Sequence, residues 1–390
     1  MPISYCRHKQ TDSQWGKTVS SNEQDKLLFT PGPLTTSRSV KEAMLHDVGS
    51  RDSVFIEKVR SVRTDLLRLA GVSQESGYES ILLQGAGTYG LEAVVSCAIP
   101  KTGHLLLVIN GAYGHRLKKI ADIHQIRTTG LVYQENETPQ AEDVKSVLDK
   151  DGSITHVSIV HCETTTGMFN DIEAVGRVVA GFQKEYIVDA MSSFGAVPID
   201  FAACHIDYLV SSSNKCIEGV PGFSFIIARR SCLLKTKGQS RTLSLDIFDQ
   251  WEGLEQNGQF RFTPPTHTIS AFHQAVAELL EEGGVTGRAR RYKENYALLV
   301  QGMRTLGFRE YLEAPKQGYI ISSFLYPADP KFDFDDFYNR LNGQGFVIYP
   351  GKLSHADCFR IGNIGKIYPQ DIGNLLKAIE SVIEKMNITL

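Results

Sequence analysis

The segment from Tyr186 to Lys215 constrains the fold of this chain more than any other. An apolar run, Tyr186-Ile187-Val188, leads into Asp189, and a second run, residues 206–210, leads through a serine-rich turn into Lys215. Strands and helices alternate through the middle of the chain, which predicts an α/β fold with a mainly parallel sheet. Because ligands bind at the carboxyl ends of such strands, we expect the acid and the amine to meet at one sheet edge.

An amine and a carboxylate at one sheet edge suit pyridoxal phosphate. The amine of Lys215 can form a Schiff base with the aldehyde, and Asp189 can keep the pyridine nitrogen protonated. An aspartate after a strand is also a common helix N-cap, and an asparagine–lysine pair is common in loops. The segment alone therefore leaves a cofactor site and an ordinary loop both open.

Composition limits the classes of protein to which this chain could belong. The chain has 390 residues, 42% hydrophobic and 22% charged, which predicts a globular protein of two or three domains. The net charge is −3 and the basic residues are scattered, which argues against nucleic-acid binding. No apolar run reaches the roughly 18 residues of a membrane span. The 7 cysteines have no CxxC spacing, so we expect no disulfide framework, no metal site and a cytoplasmic location.

A glycine-rich loop predicts an anion site. The strand Ser80–Gln84 is followed by Gly85–Gly90 and then by a helix predicted from Leu91. Free backbone N–H groups and the positive end of the helix dipole favour a phosphate there, and the Thr88 hydroxyl can add a donor.

The same loop matches the G-x-G-x-x-G motif, which raises a nicotinamide-dependent dehydrogenase as an alternative. That motif requires an acid about 20 residues further on, at the end of the second strand, to bind the ribose. The strand His104–Ile109 ends instead in Asn110-Gly111. The missing acid weakens the dehydrogenase alternative.

Several polar residues lie at positions where they could meet a ligand. Thr30-Pro31-Gly32-Pro33 forms a stiff turn whose backbone can approach a ligand closely, although a plain turn has the same composition. Tyr113 follows a strand and could stack on a flat ring, or pack as a buried tyrosine. Arg51 could meet an anion, but surface arginines are common. Arg360 lies in an apolar strand, so it needs an anion or a salt-bridge partner.

Four segments resemble the class V aminotransferases, a family of fold-type I pyridoxal-phosphate enzymes. The resemblance extends from about residue 26 to the C-terminus. It is carried by residues 27–36 (LLFTPGPLTT), 110–114 (NGAYG), 188–195 (VDAMSSFG) and, most specifically, 213–223 (SNKCIEGVPGF).

The resemblance implies a role for each matching residue. Lys215 would be the Schiff-base lysine, and Asp189 would partner the pyridine nitrogen. By the same resemblance, Tyr113 would stack on the ring, Thr164 would lie by the ring oxygen, and the phosphate loop would consist of Ala86, Gly87 and Thr88. The substrate contacts would be Arg360, Thr30 and Gly32. Thr266 would reach the cofactor phosphate in the other subunit of a homodimer. Ala86 departs from the family pattern, where a serine supplies one more hydroxyl.

The resemblance also implies an architecture and a reaction. We expect a polar tail (1–25), a large domain with a seven-stranded, mainly parallel sheet between helices (26–285) and a smaller α/β domain (286–390). The stretch Ser244–Gln259 shows no regular period. The expected reaction transfers an amino group from 2-aminoethylphosphonate to pyruvate with pyridoxal phosphate as cofactor. Transfer between alanine or serine and glyoxylate is the nearer alternative.

Overall fold

The computed structural model describes residues 25–351, 353 and 356–390. Of the predicted tail (residues 1–25), the structure therefore describes residue 25, and residues 1–24 lie outside the described residues. The strands are β1 (Leu27–Leu28), β2 (Tyr78–Gln84), β3 (His104–Ile109), β4 (Arg127–Val132), β5 (His156–Val160), β6 (Cys162–Glu163), β7 (Met168–Phe169), β8 (Glu185–Asp189), β9 (Tyr208–Ser212), β10 (Phe223–Arg229), β11 (Ile321–Leu325), β12 (Phe346–Val347), β13 (Tyr349–Pro350) and β14 (Cys358–Gly362). The helices are α1 (Arg38–Glu42), α2 (Ser53–Leu69), α3 (Gly87–Ala98), α4 (Ala112–Ile123), α5 (Ala141–Lys150), α6 (Ile172–Gly181), α7 (Arg230–Leu233), α8 (Ile247–Asn257), α9 (Thr266–Glu281), α10 (Gly284–Thr305), α11 (Phe334–Gly343) and α12 (Pro369–Met386).

A seven-stranded sheet forms the centre of the fold, in the order β2-β10-β9-β8-β5-β3-β4. Its strands are parallel except for β10, which is antiparallel to both β2 and β9. The predicted α/β fold with a mainly parallel sheet is confirmed. Asp189 pairs with Val160 on one side and Val210 on the other, so the carboxyl ends of β5, β8 and β9 lie level.

The sequence of the inner strands explains why the sheet is covered on both faces. Every residue of β3, β5 and β9 is buried, and because side chains alternate between faces, both faces must be covered. Helices α3, α4 and α6 pack against the sheet and supply part of that cover. Burying each large aliphatic side chain contributes roughly 1.5–3 kcal/mol, so the parallel sheet depends on its helices.

A second hydrophobic core lies in the C-terminal third of the chain. It contains residues of α10, β11, α11, β14 and α12, around a three-stranded antiparallel sheet in the order β11-β14-β13. Phe29 belongs to this core, and the neighbouring strand β1 pairs with β12. The N-terminal segment therefore packs with the C-terminal lobe, while the domain boundary at residue 285 stays a prediction.

Two local predictions differ from the structure. The stretch 244–259, expected to be irregular, contains helix α8. The Asp246 side chain caps this helix by accepting hydrogen bonds from the N–H groups of Phe248 and Asp249, and Gly258 ends it in a left-handed conformation with φ of 74°. Helix α3 begins at Gly87 and not at Leu91, because the second half of the glycine loop takes helical geometry.

Two further features concern the helices and the cysteines of the described residues. In this part of the chain, no helix has both the length and the apolar character needed to cross a membrane. The cysteines within it are buried and free of disulfides: Cys97, Cys162, Cys204, Cys216, Cys232 and Cys358.

The close contact at Gly176 gives a test of the packing behind β8. A Cβ atom there would lie 1.9 Å from the carbonyl oxygen of Cys204, so Gly176→Ala should force the backbone apart. We expect it to lower the free energy of unfolding by about 1–3 kcal/mol, measured by urea denaturation. Gly181→Ala is the matched control, since open space surrounds that exposed glycine of the same helix. Equal midpoints for the two variants would contradict this packing.

Candidate active site

The carboxyl ends of the central strands surround a cavity of about 180 Å³. Six of the residues predicted from the sequence line it, together with side chains that the sequence analysis did not single out. The predicted ones are Ala86, Thr88, Tyr113, Thr164, Asp189 and Lys215, and the others are Leu91, Arg116, Val160, Cys162, Met191, Ser192 and Asn214. The structure therefore places the acid and the amine at one cavity.

Lys215 reaches the cavity from the turn after β9. Its amine donates a hydrogen bond to the carbonyl oxygen of Pro31, which belongs to a proline-rich turn that lies against the lysine side chain. Gly32 in this turn has φ of 118°, and a Cβ atom there would lie 2.9 Å from the Lys215 nitrogen. Burial lowers the pKa of the lysine from 10.5 to about 8. A larger fraction of the amine is therefore neutral near neutral pH, which nucleophilic and base chemistry require.

Asp189 ends β8 and is 1% exposed. Its carboxylate accepts a hydrogen bond of 2.9 Å from the backbone N–H of Met191. Burial raises the pKa of Asp189 from 3.8 to about 6, and this outweighs the lowering effects of that hydrogen bond, Arg116 and Lys215. Among the residues that the structure describes, no cation forms a salt bridge with this carboxylate, so it can meet a protonated ring nitrogen.

The first turn of α3 forms an open anion cup. Ala86 is the N-cap residue and makes no side-chain capping hydrogen bond, in contrast to Ser37, Asp52 and Asp171 at other helices. The positive end of the helix dipole therefore remains available to a ligand. A Cβ atom at Gly87 would lie 2.1 Å from the sulfur of Met191, so a larger residue there would require the Met191 side chain to move.

Helix α4 adds an aromatic ring and a cation to the same cavity. Tyr113 lies in its first turn, and the Arg116 guanidinium lies 4.8 Å from the centre of the Tyr113 ring. Arg116 also donates a hydrogen bond of 3.1 Å to the Thr88 hydroxyl. Arg116 was not predicted from the sequence, although its position three residues after Tyr113 on a helix indicates a shared face.

Arg360 lies beside the cavity on β14 and is 4% exposed. It donates hydrogen bonds to the carbonyl oxygens of Thr164, at 2.9 Å, and Pro350, at 3.0 Å. Within the described residues, no carboxylate forms a salt bridge with it, so the structural salt bridge considered for Arg360 is not found there. Both bonds end on neutral groups and leave its charge available to an anion.

Of the remaining predicted residues, two lie against Lys215 and two do not line the cavity. Thr30 and Gly32 belong to the turn that lies against Lys215, with the Gly32 N–H 3.3 Å from the Thr30 hydroxyl oxygen. Thr266 begins α9 and does not line the cavity. Arg51 borders a separate depression of about 340 Å³ with Phe260, Arg261 and Phe262 among its neighbours.

The arrangement fits a flat ring that carries an aldehyde and a phosphate. A carboxylate, an amine, an aromatic ring and an uncapped helix N-terminus line one cavity. These are the groups that pyridoxal phosphate requires. A model of class-V aminotransferases matches residues 36–353. The chain belongs to the class-V aminotransferase family. Its cofactor is therefore pyridoxal phosphate, as predicted, and the dehydrogenase alternative is wrong.

Curated relatives and solved structures agree with the family. A 2-aminoethylphosphonate–pyruvate transaminase from Salmonella paratyphi C is 51% identical over 359 residues, which cover 92% of this chain and 97% of that protein. The Vibrio vulnificus protein of the same name is 51% identical over 363 residues, with 93% and 98% coverage. The fold is similar to ureidoglycine–glyoxylate aminotransferase from Bacillus subtilis, with a TM-score of 0.86, 22% identity and 94% coverage of both chains. The predicted fold-type I architecture is confirmed.

A second acid, Glu163, connects two walls of this cavity. It lies in β6 and is fully buried, and its carboxylate accepts hydrogen bonds from the Thr165 hydroxyl, at 2.7 Å, and the Tyr113 N–H, at 3.2 Å. Burial raises the pKa of Glu163 to about 7. Glu163 thus connects the loop that carries Thr164 to the start of α4.

Because the Asp189 carboxylate is buried, its ionisation is expected to lower the free energy of unfolding. A folded-state pKa raised to about 6 means that the folded protein loses stability as pH rises from roughly 4 to 6 and the carboxylate ionises. In the protein without cofactor, Asp189→Asn should therefore be more stable than the wild type by about 2–3 kcal/mol at about pH 8. The difference should vanish below about pH 4. Urea denaturation across this range measures it.

Asp149→Asn serves as the matched control, because Asp149 is exposed on α5. Because this substitution removes an exposed carboxylate, it should change the free energy of unfolding by no more than about 0.5 kcal/mol. If Asp189→Asn were as stable as the wild type at high pH, burial of the charge would not carry the free energy assigned to it.

Proposed function

We propose that this chain transfers the amino group of 2-aminoethylphosphonate to pyruvate, giving phosphonoacetaldehyde and L-alanine. The observation that supports transaminase chemistry is that Lys215 and Asp189 line one cavity. The choice of donor and acceptor follows the curated relatives, which carry that name at 51% identity over nearly their whole length.

Each residue of the site has a part in this proposal. Pyridoxal phosphate, when bound, supplies the aldehyde that takes up the amino group and a ring that stores the electrons of the broken C–H bond. Lys215 would hold the cofactor and, once released, move the proton removed from the donor. Asp189 would keep the ring nitrogen protonated, and Tyr113 would lie against the ring. The first turn of α3, with Ala86, Gly87 and Thr88, would hold the phosphate.

Arg360 would orient the acid group of each substrate. A guanidinium binds a carboxylate or a phosphonate through two parallel hydrogen bonds, so one residue can serve both the donor and pyruvate. Thr30 and Gly32, in the turn over Lys215, would form the opposite wall. Because donor and acceptor use the same place in turn, the kinetics should be ping-pong.

We further propose a homodimer in which Thr266 reaches the cofactor phosphate of the partner subunit. Thr266 does not line the cavity of its own chain, which leaves it available for a contact with a second copy. A cytoplasmic location stays a prediction from the use of cysteine.

A visible spectrum of the protein loaded with pyridoxal phosphate tests the function. Addition of 2-aminoethylphosphonate should remove the visible absorbance of the bound cofactor, and pyruvate should restore it with formation of alanine. Lys215→Ala should abolish both the original absorbance and turnover. A faster response to L-alanine or L-serine with glyoxylate would replace the proposed substrates by the nearer alternative, and no response to any of these donors would refute the function.

Substitution of Arg360 tests its contact with substrate. Arg360→Lys keeps the charge but loses the fork geometry, so KM for 2-aminoethylphosphonate and pyruvate should rise about 10- to 100-fold while the cofactor spectrum stays normal. Arg340→Lys is the control, since Arg340 is exposed on α11 and, among the described residues, forms its salt bridge with Asp336 of the same helix. Unchanged KM values in Arg360→Lys would remove this residue from the substrate site.

A further inference from the structure

Arg116 is a cation in the cavity that the proposed mechanism leaves without a role. It lies on α4, one turn after Tyr113, and its guanidinium covers the Tyr113 ring at 4.8 Å. It lines the same cavity as Asp189 and Lys215. One helix therefore presents both a ring for the cofactor and a positive charge.

The charge of Arg116 has no anionic partner within the described residues. Its one hydrogen bond in this part of the chain goes to the Thr88 hydroxyl, at 3.1 Å, and no carboxylate forms a salt bridge with it. A guanidinium has five N–H donors, so most of its donor capacity remains for a ligand. Arg116 also acts on Asp189, where its charge lowers the pKa of the carboxylate against the larger effect of burial.

The phosphate cup lacks a donor that a related loop would have. Ala86 stands where the family pattern has serine, so the cup consists of the α3 N-terminus and the Thr88 hydroxyl. A phosphate monoester carries nearly two negative charges at neutral pH and has three acceptor oxygens. Charge-assisted hydrogen bonds from a guanidinium are about twice as strong as neutral ones, so a single arginine would more than replace one hydroxyl.

The contact with Thr88 explains how Arg116 could act on the cup. Because the Thr88 oxygen accepts the Arg116 N–H, its own hydrogen is free to point away from the arginine. A hydroxyl that accepts from a cation is polarised and becomes a better donor. The arginine can therefore strengthen the Thr88 donor and bind the anion directly.

We propose that Arg116 binds the phosphate group of pyridoxal phosphate and supplies the charged donor that compensates for Ala86. This inference rests on the proposed phosphate cup. Arg116 is thus a specificity residue for the phosphorylated cofactor, and it adds a positive charge beside the carboxylate of Asp189.

Comparison of pyridoxal phosphate with pyridoxal isolates the phosphate contact. The two compounds share the ring and the aldehyde, so a residue that binds phosphate should affect only the first. Dissociation constants for both are measured by fluorescence titration of the cofactor-free full chain, in the wild type, Arg116→Gln, Arg116→Lys and Lys119→Gln. Lys119→Gln is the matched control, because it removes a positive charge from an exposed position of the same helix.

We expect Arg116→Gln to weaken binding of pyridoxal phosphate about 10- to 100-fold and to change binding of pyridoxal by less than about threefold. Arg116→Lys should lie between Arg116→Gln and the wild type, and Lys119→Gln should match the wild type. Inorganic phosphate should compete with the cofactor less effectively in Arg116→Gln than in the wild type. Melting temperatures of the cofactor-free proteins check that each variant folds.

Two results would overturn the inference while leaving the proposed function standing. If Arg116→Gln weakened both compounds equally, the arginine would only position Tyr113. If it weakened neither, the helix N-terminus and Thr88 would suffice for the phosphate. A wild-type protein that bound no pyridoxal phosphate would overturn the proposed function, and this inference with it.

Discussion

The cost of removing charged groups from water governs the chemistry of this site. Lys215 and Asp189 lie at one cavity, and mutual attraction alone would raise the pKa of the amine and lower that of the acid. The opposite occurs, since the pKa of Lys215 falls to about 8 and that of Asp189 rises to about 6. Desolvation therefore outweighs attraction, and both groups move toward neutrality. In the proposed site, a cofactor that joined the amine and met the acid would reduce this cost.

The balance of charge around the cavity favours anions. Lys215 and Arg116 line it and Arg360 lies beside it, while Asp189 and the partly protonated Glu163 are the acids nearby. Neither arginine forms a salt bridge within the described residues. A phosphorylated cofactor and an acidic substrate would together satisfy the half-buried guanidinium of Arg116 and the buried one of Arg360, which is costly to leave without an anion.

The C-terminal lobe contributes to the site through the N-terminal segment. Strand β1 pairs with β12, Phe29 lies in the second core, and the next residues form the turn that receives the Lys215 amine. A buried network of ion pairs provides a second connection between the lysine loop and this lobe. Arg291 of α10 donates to Glu218, at 2.7 Å, and to the carbonyl oxygen of Ile367, at 3.0 Å. The lysine loop is therefore attached to the lobe that carries Arg360.

The sequence alone determined the sheet, the pair Asp189 and Lys215, and the family, because apolar strands, turn residues and local motifs are properties of neighbouring residues. It also indicated Arg360, since a lone arginine in an apolar strand requires a partner. Only the tertiary structure placed Arg116 against Thr88 and Glu163 against the Tyr113 N–H, and only it attached Phe29 to the C-terminal core. Those contacts join residues that are 28, 50 and at least 270 positions apart in the sequence. Their geometry depends on how helices pack on the sheet, which no local pattern encodes.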